Sequence, residues 1–217
     1  MELVVKNVRK TIKKHEILKN INVTFQGGKI YGIVGRNGSG KTMLFRALSG
    51  LMRVQGEIWL DDKCLGKDMR ILPELGMIIE NTEMYPEFSG YINLKLLADI
   101  NKKIGKAEVE DAMYRVGLNP KERKIVRKYS LGMKQKLSIA QAIMEKPKIM
   151  FLDEPTNGLD DESVQKFWKL MREEKERDTL ILLASHSKED IAELTDEVYY
   201  MHDGELTKER EISEGKN

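Results

Sequence analysis

Short, almost uninterrupted apolar runs recur along the chain and predict strands that are covered on both faces. The clearest runs lie at 30–34, 76–80, 149–152 and 179–184, and a further strand is predicted at 198–201. Apolar runs without alternation are typical of strands in a parallel sheet that other elements cover on both sides. The pattern therefore predicts an α/β fold with a mainly parallel sheet.

Two other patterns flank these runs. Shorter strand-like segments at 3–8, 21–25 and 56–60, with turn residues between them, predict a small antiparallel sheet near the N-terminus. The polar tail from Thr207 onward is expected to be loose.

Residues 84–146 follow a helical pattern instead. Apolar side chains recur there at three- and four-residue spacing, at Tyr91, Leu94, Leu97, Ala98, Val109, Ala112, Met113 and Val116. We predict one domain over 1–217, with an α/β core at 1–83 and 147–217 and a helical lobe inserted at 84–146.

Composition narrows the class of protein. The 217 residues include 37 Lys and Arg against 35 Asp and Glu, and this net charge of +2 argues against nucleic acid as the main partner. The single cysteine, Cys64, has no partner for an internal disulfide, which fits a reducing cytoplasm. No apolar run approaches the ~20 residues that span a membrane, so any membrane role is expected to come through another chain.

Residues 35–42 read Gly-Arg-Asn-Gly-Ser-Gly-Lys-Thr and match the phosphate-binding pattern G-x-x-x-x-G-K-[ST]. The segment lies between the predicted strand at 30–34 and a helix-compatible run at 43–48, where backbone N–H groups and the helix N-terminus converge on an anion. Lys41 is expected to reach the β- and γ-phosphates, and the Thr42 hydroxyl to bind Mg²⁺. The nucleotide-binding residues that we predict here are Gly35, Asn37, Gly38, Ser39, Gly40, Lys41, Thr42 and Met43.

Two carboxylates follow the strand at 149–152. The carboxyl end of a strand in such a sheet lies where ligands bind, so Asp153 is expected to hold Mg²⁺, directly or through water. Glu154 would then polarise the water that attacks the γ-phosphate. His186 follows the strand at 179–184 and is expected at the same edge, in contact with the γ-phosphate.

A third segment, at 129–137, reads Tyr-Ser-Leu-Gly-Met-Lys-Gln-Lys-Leu and resembles the L-S-G-G-Q signature of the ATP-binding cassette (ABC) ATPases. Together with the phosphate loop, the two carboxylates and His186, it makes nearly the whole chain similar to that family. The resemblance implies a P-loop ATPase whose two copies pair head-to-tail around two ATP molecules. Ser130 and the Gly132 backbone N–H would meet the γ-phosphate of the other copy, and Asp160 would lie at the dimer seam.

The chain departs from the family pattern at several positions. Glu80 stands where the family has glutamine, and it is expected to approach Mg²⁺. Leu131 and Met133 replace a glycine and the glutamine of the signature. Ile12 stands near the position of the family's adenine-stacking aromatic residue, so weaker selectivity for the base is expected.

The segments around 79–94 and 129–135 are similar to a narrower group, the ATPase subunits of bacterial export systems for bacitracin, lantibiotics and related peptides. This similarity implies two partners: a second ABC subunit, identical or not, and an integral membrane permease chain that would dock near Met84, Tyr85 and Pro86. The subunit would then lie on the inner face of the membrane. The alternative is a soluble ABC ATPase that acts on ribosomes, DNA or a sensor complex; a small-molecule kinase is opposed by the signature.

Overall fold

The computed structural model describes residues 1–79 and 84–208, so the predicted Mg²⁺ ligand Glu80 lies outside the described residues. The strands are β1 (Glu2–Ile12), β2 (His15–Gln26), β3 (Ile30–Val34), β4 (Gln55–Leu60), β5 (Lys63–Cys64), β6 (Leu75–Ile78), β7 (Ile149–Asp153), β8 (Leu180–Ala184), β9 (Glu197–His202) and β10 (Glu205–Lys208). The α-helices are α1 (Lys41–Ser49), α2 (Gly90–Asn101), α3 (Lys106–Arg115), α4 (Leu131–Ile143), α5 (Asp161–Glu176) and α6 (Lys188–Leu194), with a 3₁₀ turn at Val126–Lys128.

The central sheet has six strands in the order β10-β9-β3-β8-β7-β6. All neighbours except β9 and β10 pair in parallel. In the middle of the sheet, Ala184 at the end of β8 pairs with Ile33 of β3 on one side and with Asp153 of β7 on the other. This register brings the carboxyl ends of three strands together, which is where open α/β sheets bind ligands.

A second, four-stranded sheet has the order β2-β1-β4-β5 and is antiparallel throughout. It confirms the predicted N-terminal antiparallel sheet, although β1 and β2 are longer than the segments at 3–8 and 21–25. The fold class predicted from the sequence is therefore confirmed, with a mainly parallel sheet, an antiparallel sheet and helices.

The strands of the central sheet divide the apolar core in two. In β7, Ile149 and Phe151 belong to a cluster with α1 and the antiparallel sheet, whereas Met150 and Leu152 belong to a cluster with α2, α3, α4 and α5. Because successive side chains point to opposite faces, burial on both faces requires an unbroken apolar strand. Each buried side chain of this size contributes roughly 1.5–3 kcal/mol.

Residues 84–146 contain α2, α3, the 3₁₀ turn and α4, and their division from the core as a lobe stays a prediction. Two serines begin the longer helices of this segment. The Ser89 hydroxyl accepts a hydrogen bond from the Ile92 N–H, and the Ser130 hydroxyl accepts one from the Met133 N–H. Such caps satisfy first-turn donors that the helix itself leaves unpaired.

Three local expectations need correction. The strand predicted at 76–80 ends at Ile78 within the described residues, and α1 begins at Lys41 rather than at 43. Thr207 and Lys208 are not loose, because they form the end of β10 and pair with Tyr200 and Tyr199. Across the described ranges, no helix combines the length and the apolar character needed to cross a membrane.

Candidate active site

The phosphate loop connects β3 to α1 in the way that its sequence predicts. A Cβ atom at Gly35 would lie 2.3 Å from the Met201 carbonyl oxygen, so only glycine fits there. Gly40 has φ 112°, a left-handed conformation that glycine adopts without strain, and it is the residue that precedes α1. The two glycines thus allow the chain to turn sharply between strand and helix.

The start of α1 offers unpaired donors to an anion. Its N-cap is a glycine, which has no side chain to accept from the first-turn N–H groups, and its first turn carries no acidic residue. The hydroxyl of Ser39 is buried and has no hydrogen-bond partner within the part of the chain that the structure describes. Because buried polar atoms are ordinarily paired, this orphan donor fits a phosphate ligand.

Lys41 lies folded back over this loop. It is only 6% exposed, and its ammonium donates a hydrogen bond of 2.6 Å to the Gly35 carbonyl. The Lys41 Nζ atom also lies 3.4 Å from His186 Nε2. This buried ammonium therefore lies between the glycine loop and the histidine that follows β8.

Thr42 and Asp153 meet across α1 and β7. The Thr42 hydroxyl donates a hydrogen bond to Asp153 Oδ2 at 2.5 Å. A hydroxyl oxygen and a carboxylate oxygen therefore lie side by side next to the phosphate loop. Mg²⁺ in nucleotide sites takes one or two protein carboxylates and completes its shell with phosphate oxygens and water. The pair fits such a site. Within residues 1–79 and 84–208, no cluster of three or more His, Cys, Asp or Glu side chains could hold a metal by itself.

Glu154 follows Asp153 in a left-handed backbone conformation, with φ 50°. Its Oε2 accepts a hydrogen bond of 3.3 Å from the His186 N–H. The Oε1 atom is buried and accepts no hydrogen bond among the described residues, although His186 Nε2 lies 3.5 Å away. Burial raises the pKa of the Glu154 carboxyl, against the opposing influence of His186 and Lys41.

His186 is held by the phosphate loop as well. Its Nε2 atom lies 2.7 Å from Asn37 Oδ1, a distance that fits an Nε2–H donating to the amide oxygen. The structure thus brings Asn37, Lys41, Glu154 and His186 together. Asn37, Lys41, Met43 and Glu154 line a cavity with a volume of about 900 Å³, and His186 lies outside its lining.

The other predicted residues form a separate cluster. Ser130, Gly132 and Asp160 line a second cleft, and none of the three lines the cavity beside the phosphate loop. Asp160 is the N-cap of α5, and hydrogen bonds from the side chain and backbone of Ser163 lower the pKa of its carboxyl. Leu131 is 64% exposed and lies over Gly158, between the two clefts.

Some neighbours of the site were not predicted from the sequence. The Gln135 side chain donates to the carbonyls of Glu154 and Pro155, at 3.3 and 2.8 Å, and so links α4 to the loop after β7. The signature segment contains Gln135, but nothing in its spacing indicates this contact. The cavity is also lined by Lys14 in the β1–β2 turn and by His15 at the start of β2, and not by Ile12.

Comparison with known proteins places this geometry in a family. The model of the ABC transporter domain matches residues 18–157. An uncharacterised ABC transporter ATP-binding protein of Bacillus subtilis, YybJ, is 44% identical over 95% of both chains. The bacitracin transport ATP-binding protein BcrA of Enterococcus faecalis is 36% identical over 99% of this chain and 71% of its own. The lantibiotic transport ATP-binding protein SrtF of Streptococcus pyogenes is 31% identical over 99% and 93%.

Solved structures agree on the fold. An ATP-binding subunit of an ABC transporter superposes with a TM-score of 0.86 at 24% identity, covering 99% of this chain and 93% of that one. A dimeric post-hydrolysis state of the cassette MJ0796, bound to ADP and Pi, gives 0.83 at 21% identity, covering 95% and 98%. The chain therefore belongs to the ABC transporter family, as one of its nucleotide-binding ATPase cassettes.

Proposed function

We propose that this protein is the ATP-hydrolysing subunit of a membrane exporter, and that two copies close around ATP to drive a separate permease chain. The observation that supports hydrolysis most directly is the meeting of Thr42, Asp153, Glu154 and His186 at one edge of the central sheet. That edge also receives the phosphate loop, so a bound triphosphate would end among these four side chains.

Each residue of the site has a distinct role in the proposed hydrolysis. The N–H groups at the start of α1 and the Lys41 ammonium bind the phosphates, which requires Lys41 to leave the Gly35 carbonyl. Thr42 and Asp153 would hold Mg²⁺, which neutralises charge on the β- and γ-phosphates when it is bound. Glu154 Oε1 has no hydrogen bond within the described residues. It accepts a hydrogen bond from the attacking water and polarises it. His186 donates toward the γ-phosphate from its position beside Asn37 and Lys41.

The separate position of the signature cluster supports a dimer. Ser130 and Gly132 lie at the start of α4 in a cleft that contains no residue of the phosphate loop. A second copy, related head-to-tail, would bring the N-terminus of its α4 to the γ-phosphate, and anions are stabilised at that end of a helix. Asp160 lines the same cleft and would lie at the seam.

Export of a peptide antibiotic is supported by the relatives alone. BcrA and SrtF are a bacitracin and a lantibiotic transport ATP-binding protein, and both match nearly the whole of this chain. The permease would dock near Met84, Tyr85 and Pro86, where the Tyr85 side chain is 62% exposed. The soluble alternative, an ABC ATPase that acts on ribosomes, DNA or a sensor complex, has no specific observation in its favour.

The variant Glu154→Gln tests this function. It keeps the shape of the side chain but removes the base, so we expect it to bind ATP, to lose at least about 100-fold of the hydrolysis rate and to elute as a dimer with ATP. Size-exclusion chromatography and a phosphate-release assay measure both effects. The wild type, which turns ATP over, should elute mainly as a monomer. Wild-type turnover in Glu154→Gln would contradict the role of Glu154, and a monomer with bound ATP would contradict the dimer.

A further inference from the structure

A buried carboxylate lies behind the site and has no role in the mechanism above. Asp190, in α6, is 1% exposed. Its Oδ1 accepts a hydrogen bond from the Trp168 indole at 2.7 Å, and its Oδ2 accepts from the hydroxyls of Thr156 and Ser185 at 2.6 and 2.9 Å. Three neutral donors thus surround one carboxylate, and such bonds to a charged acceptor are stronger than those between neutral groups.

Two of the hydrogen bonds around Asp190 hold the segment that carries His186. The Ser185 hydroxyl that donates to Asp190 also accepts from the Ser187 N–H at 3.0 Å. The Ser187 hydroxyl, as N-cap of α6, accepts from the Asp190 N–H at 3.1 Å. Both neighbours of His186 in the chain therefore form hydrogen bonds with Asp190 or with each other, and these bonds hold the backbone from which the imidazole extends.

A third hydrogen bond reaches the other half of the site. Thr156 lies two residues after Glu154, on the loop that leads to Asp160, and its hydroxyl makes the shortest contact with Asp190. The same carboxylate oxygen therefore receives one donor from the Glu154 side and one from the His186 side. No other residue in the described part of the chain has a side chain with hydrogen bonds to both Thr156 and Ser185.

We propose that Asp190 is a positioning residue for ATP hydrolysis: through Thr156 and Ser185 it fixes the loop after Glu154 and the loop around His186 in one arrangement. Glu154 and His186 then face the γ-phosphate as a unit, and a shift in either loop is transmitted to the other. This inference rests on the proposed function, because it assigns Asp190 to the reaction that Glu154 and His186 carry out.

The Thr156 hydroxyl offers a sharper test than Asp190 itself, since removal of a buried charge with three donors endangers folding. Thr156→Val keeps the shape and deletes the donor, whereas Thr156→Ser keeps the donor and deletes a methyl group. We expect Thr156→Val to lower kcat roughly tenfold with KM for ATP unchanged. Thr156→Ser should retain wild-type kcat. Thermal melting of both variants checks that they are folded.

A double-mutant cycle with His186→Ala separates positioning from a general loss of stability. If Thr156 acts through the arrangement of His186, Thr156→Val should change the residual rate of His186→Ala by less than about twofold. A full tenfold additional loss in the double mutant would show that Thr156 acts on Glu154 independently of His186, and this would overturn the proposal that the two residues are positioned as a unit. Wild-type kcat in Thr156→Val would overturn it as well.

Amide hydrogen exchange of residues 185–187, measured without nucleotide, gives a readout that does not depend on hydrolysis. Loss of the hydrogen bond from Thr156 to Asp190 should raise the exchange rate of the His186 and Ser187 amides in Thr156→Val by roughly tenfold. The rate should be unchanged in Thr156→Ser. Equal exchange in Thr156→Val and wild type would overturn the proposal. A wild-type chain that fails to hydrolyse ATP would overturn the proposed function instead, and the exchange result alone would then decide the role of Asp190.

Discussion

At the scale of single residues, Glu154 combines two demands that conflict. Its burial raises the pKa of the carboxyl, and catalysis requires the deprotonated form. The carboxyl is a weaker acid in the folded protein than in the unfolded chain. With respect to Glu154, the free energy of unfolding is therefore highest below the unfolded pKa, where the carboxyl is protonated in both states. It falls as the pH rises through the raised folded pKa.

The substitution Glu154→Gln should for this reason stabilise the fold at neutral pH, because it removes the cost of a buried charge. We expect its melting temperature to exceed that of the wild type by roughly a few degrees at pH 7.5, and the difference to vanish toward about pH 4. Differential scanning fluorimetry across this range, without nucleotide, measures the difference. A Glu154→Gln variant that melts below the wild type at neutral pH would show that burial does not dominate at this carboxyl.

Lys41 is the residue on which we expect nucleotide binding to depend most. Its ammonium is buried against the Gly35 carbonyl, so Lys41→Ala should abolish measurable ATP binding by titration calorimetry while the chain stays folded. Lys95→Ala is the matched control, because Lys95 pairs with Asp99 on the surface of α2. It should bind ATP as the wild type does. Normal ATP affinity in Lys41→Ala would disprove the assignment of the phosphate loop.

The local sequence predicts the parts of the site that a short segment can encode. The loop at 35–42 and the pair Asp153 and Glu154 are recognisable from the spacing of glycines, a lysine and an apolar strand. The contacts between distant segments are not, because they depend on which strands are neighbours. Neither the approach of Asn37 to His186 nor the bonds from Gln135 to the loop after β7 leave a pattern in the sequence.

At the scale of elements, α2 and α4 offer an internal comparison. Both begin at a serine whose hydroxyl accepts from a first-turn N–H, but only Ser130 lies in the signature cluster. Replacement of either cap should cost about 1 kcal/mol of stability. A comparison of variants at Ser89 and Ser130 therefore distinguishes the loss of a helix cap from the loss of the proposed contact across the dimer.

Ser130→Arg is expected to block dimer closure and to reduce ATP hydrolysis to the background rate, since a long cation would enter the seam. Ser89→Arg should lose a similar amount of stability yet hydrolyse ATP normally as the isolated protein. Phosphate release and size-exclusion chromatography, both with ATP present, measure these effects. Equal turnover in the two variants would remove the signature helix from the mechanism.

Long apolar elements were predicted well, and short polar ones were not. The unbroken apolar character of β7 and β8 follows from burial on both faces, so it is visible in the sequence. The helix α6 has seven residues and little apolar pattern, and β10 reads Glu-Leu-Thr-Lys at the edge of the sheet. Edge strands and short helices are stabilised by the neighbours that they contact, which a local pattern does not reveal.

At the scale of the whole molecule, we expect the end of the cavity near the β1–β2 turn to receive the base and to influence the choice of nucleotide. Its lining comes from the polar β1–β2 turn, and Ile12 lies outside it with 39% of its surface exposed. Without a stacking ring from β1, we expect kcat/KM for GTP to lie within about fivefold of that for ATP. Ile12→Tyr should raise the preference for ATP. A strong ATP preference in the wild type would contradict this expectation.

The sequence of one chain determines only its own surface at each contact with a partner, so it does not identify the partner. The relatives suggest a transport complex, and co-purification from membranes would identify the integral chain. We expect the cargo contacts to belong to that chain. For this reason the fold and the nucleotide site could be predicted from the sequence, whereas the transported molecule could not.

Leu131 gives this cassette a feature that a glycine in the same place would not provide. It projects from the rim of the nucleotide cavity, 64% exposed and resting on Gly158. A competitive inhibitor that carries a hydrophobic substituent next to its triphosphate analogue would contact Leu131. A cassette with glycine at this position lacks that contact. Inhibitors selective for cassettes with a leucine at this position could therefore be sought at that rim rather than in the phosphate loop.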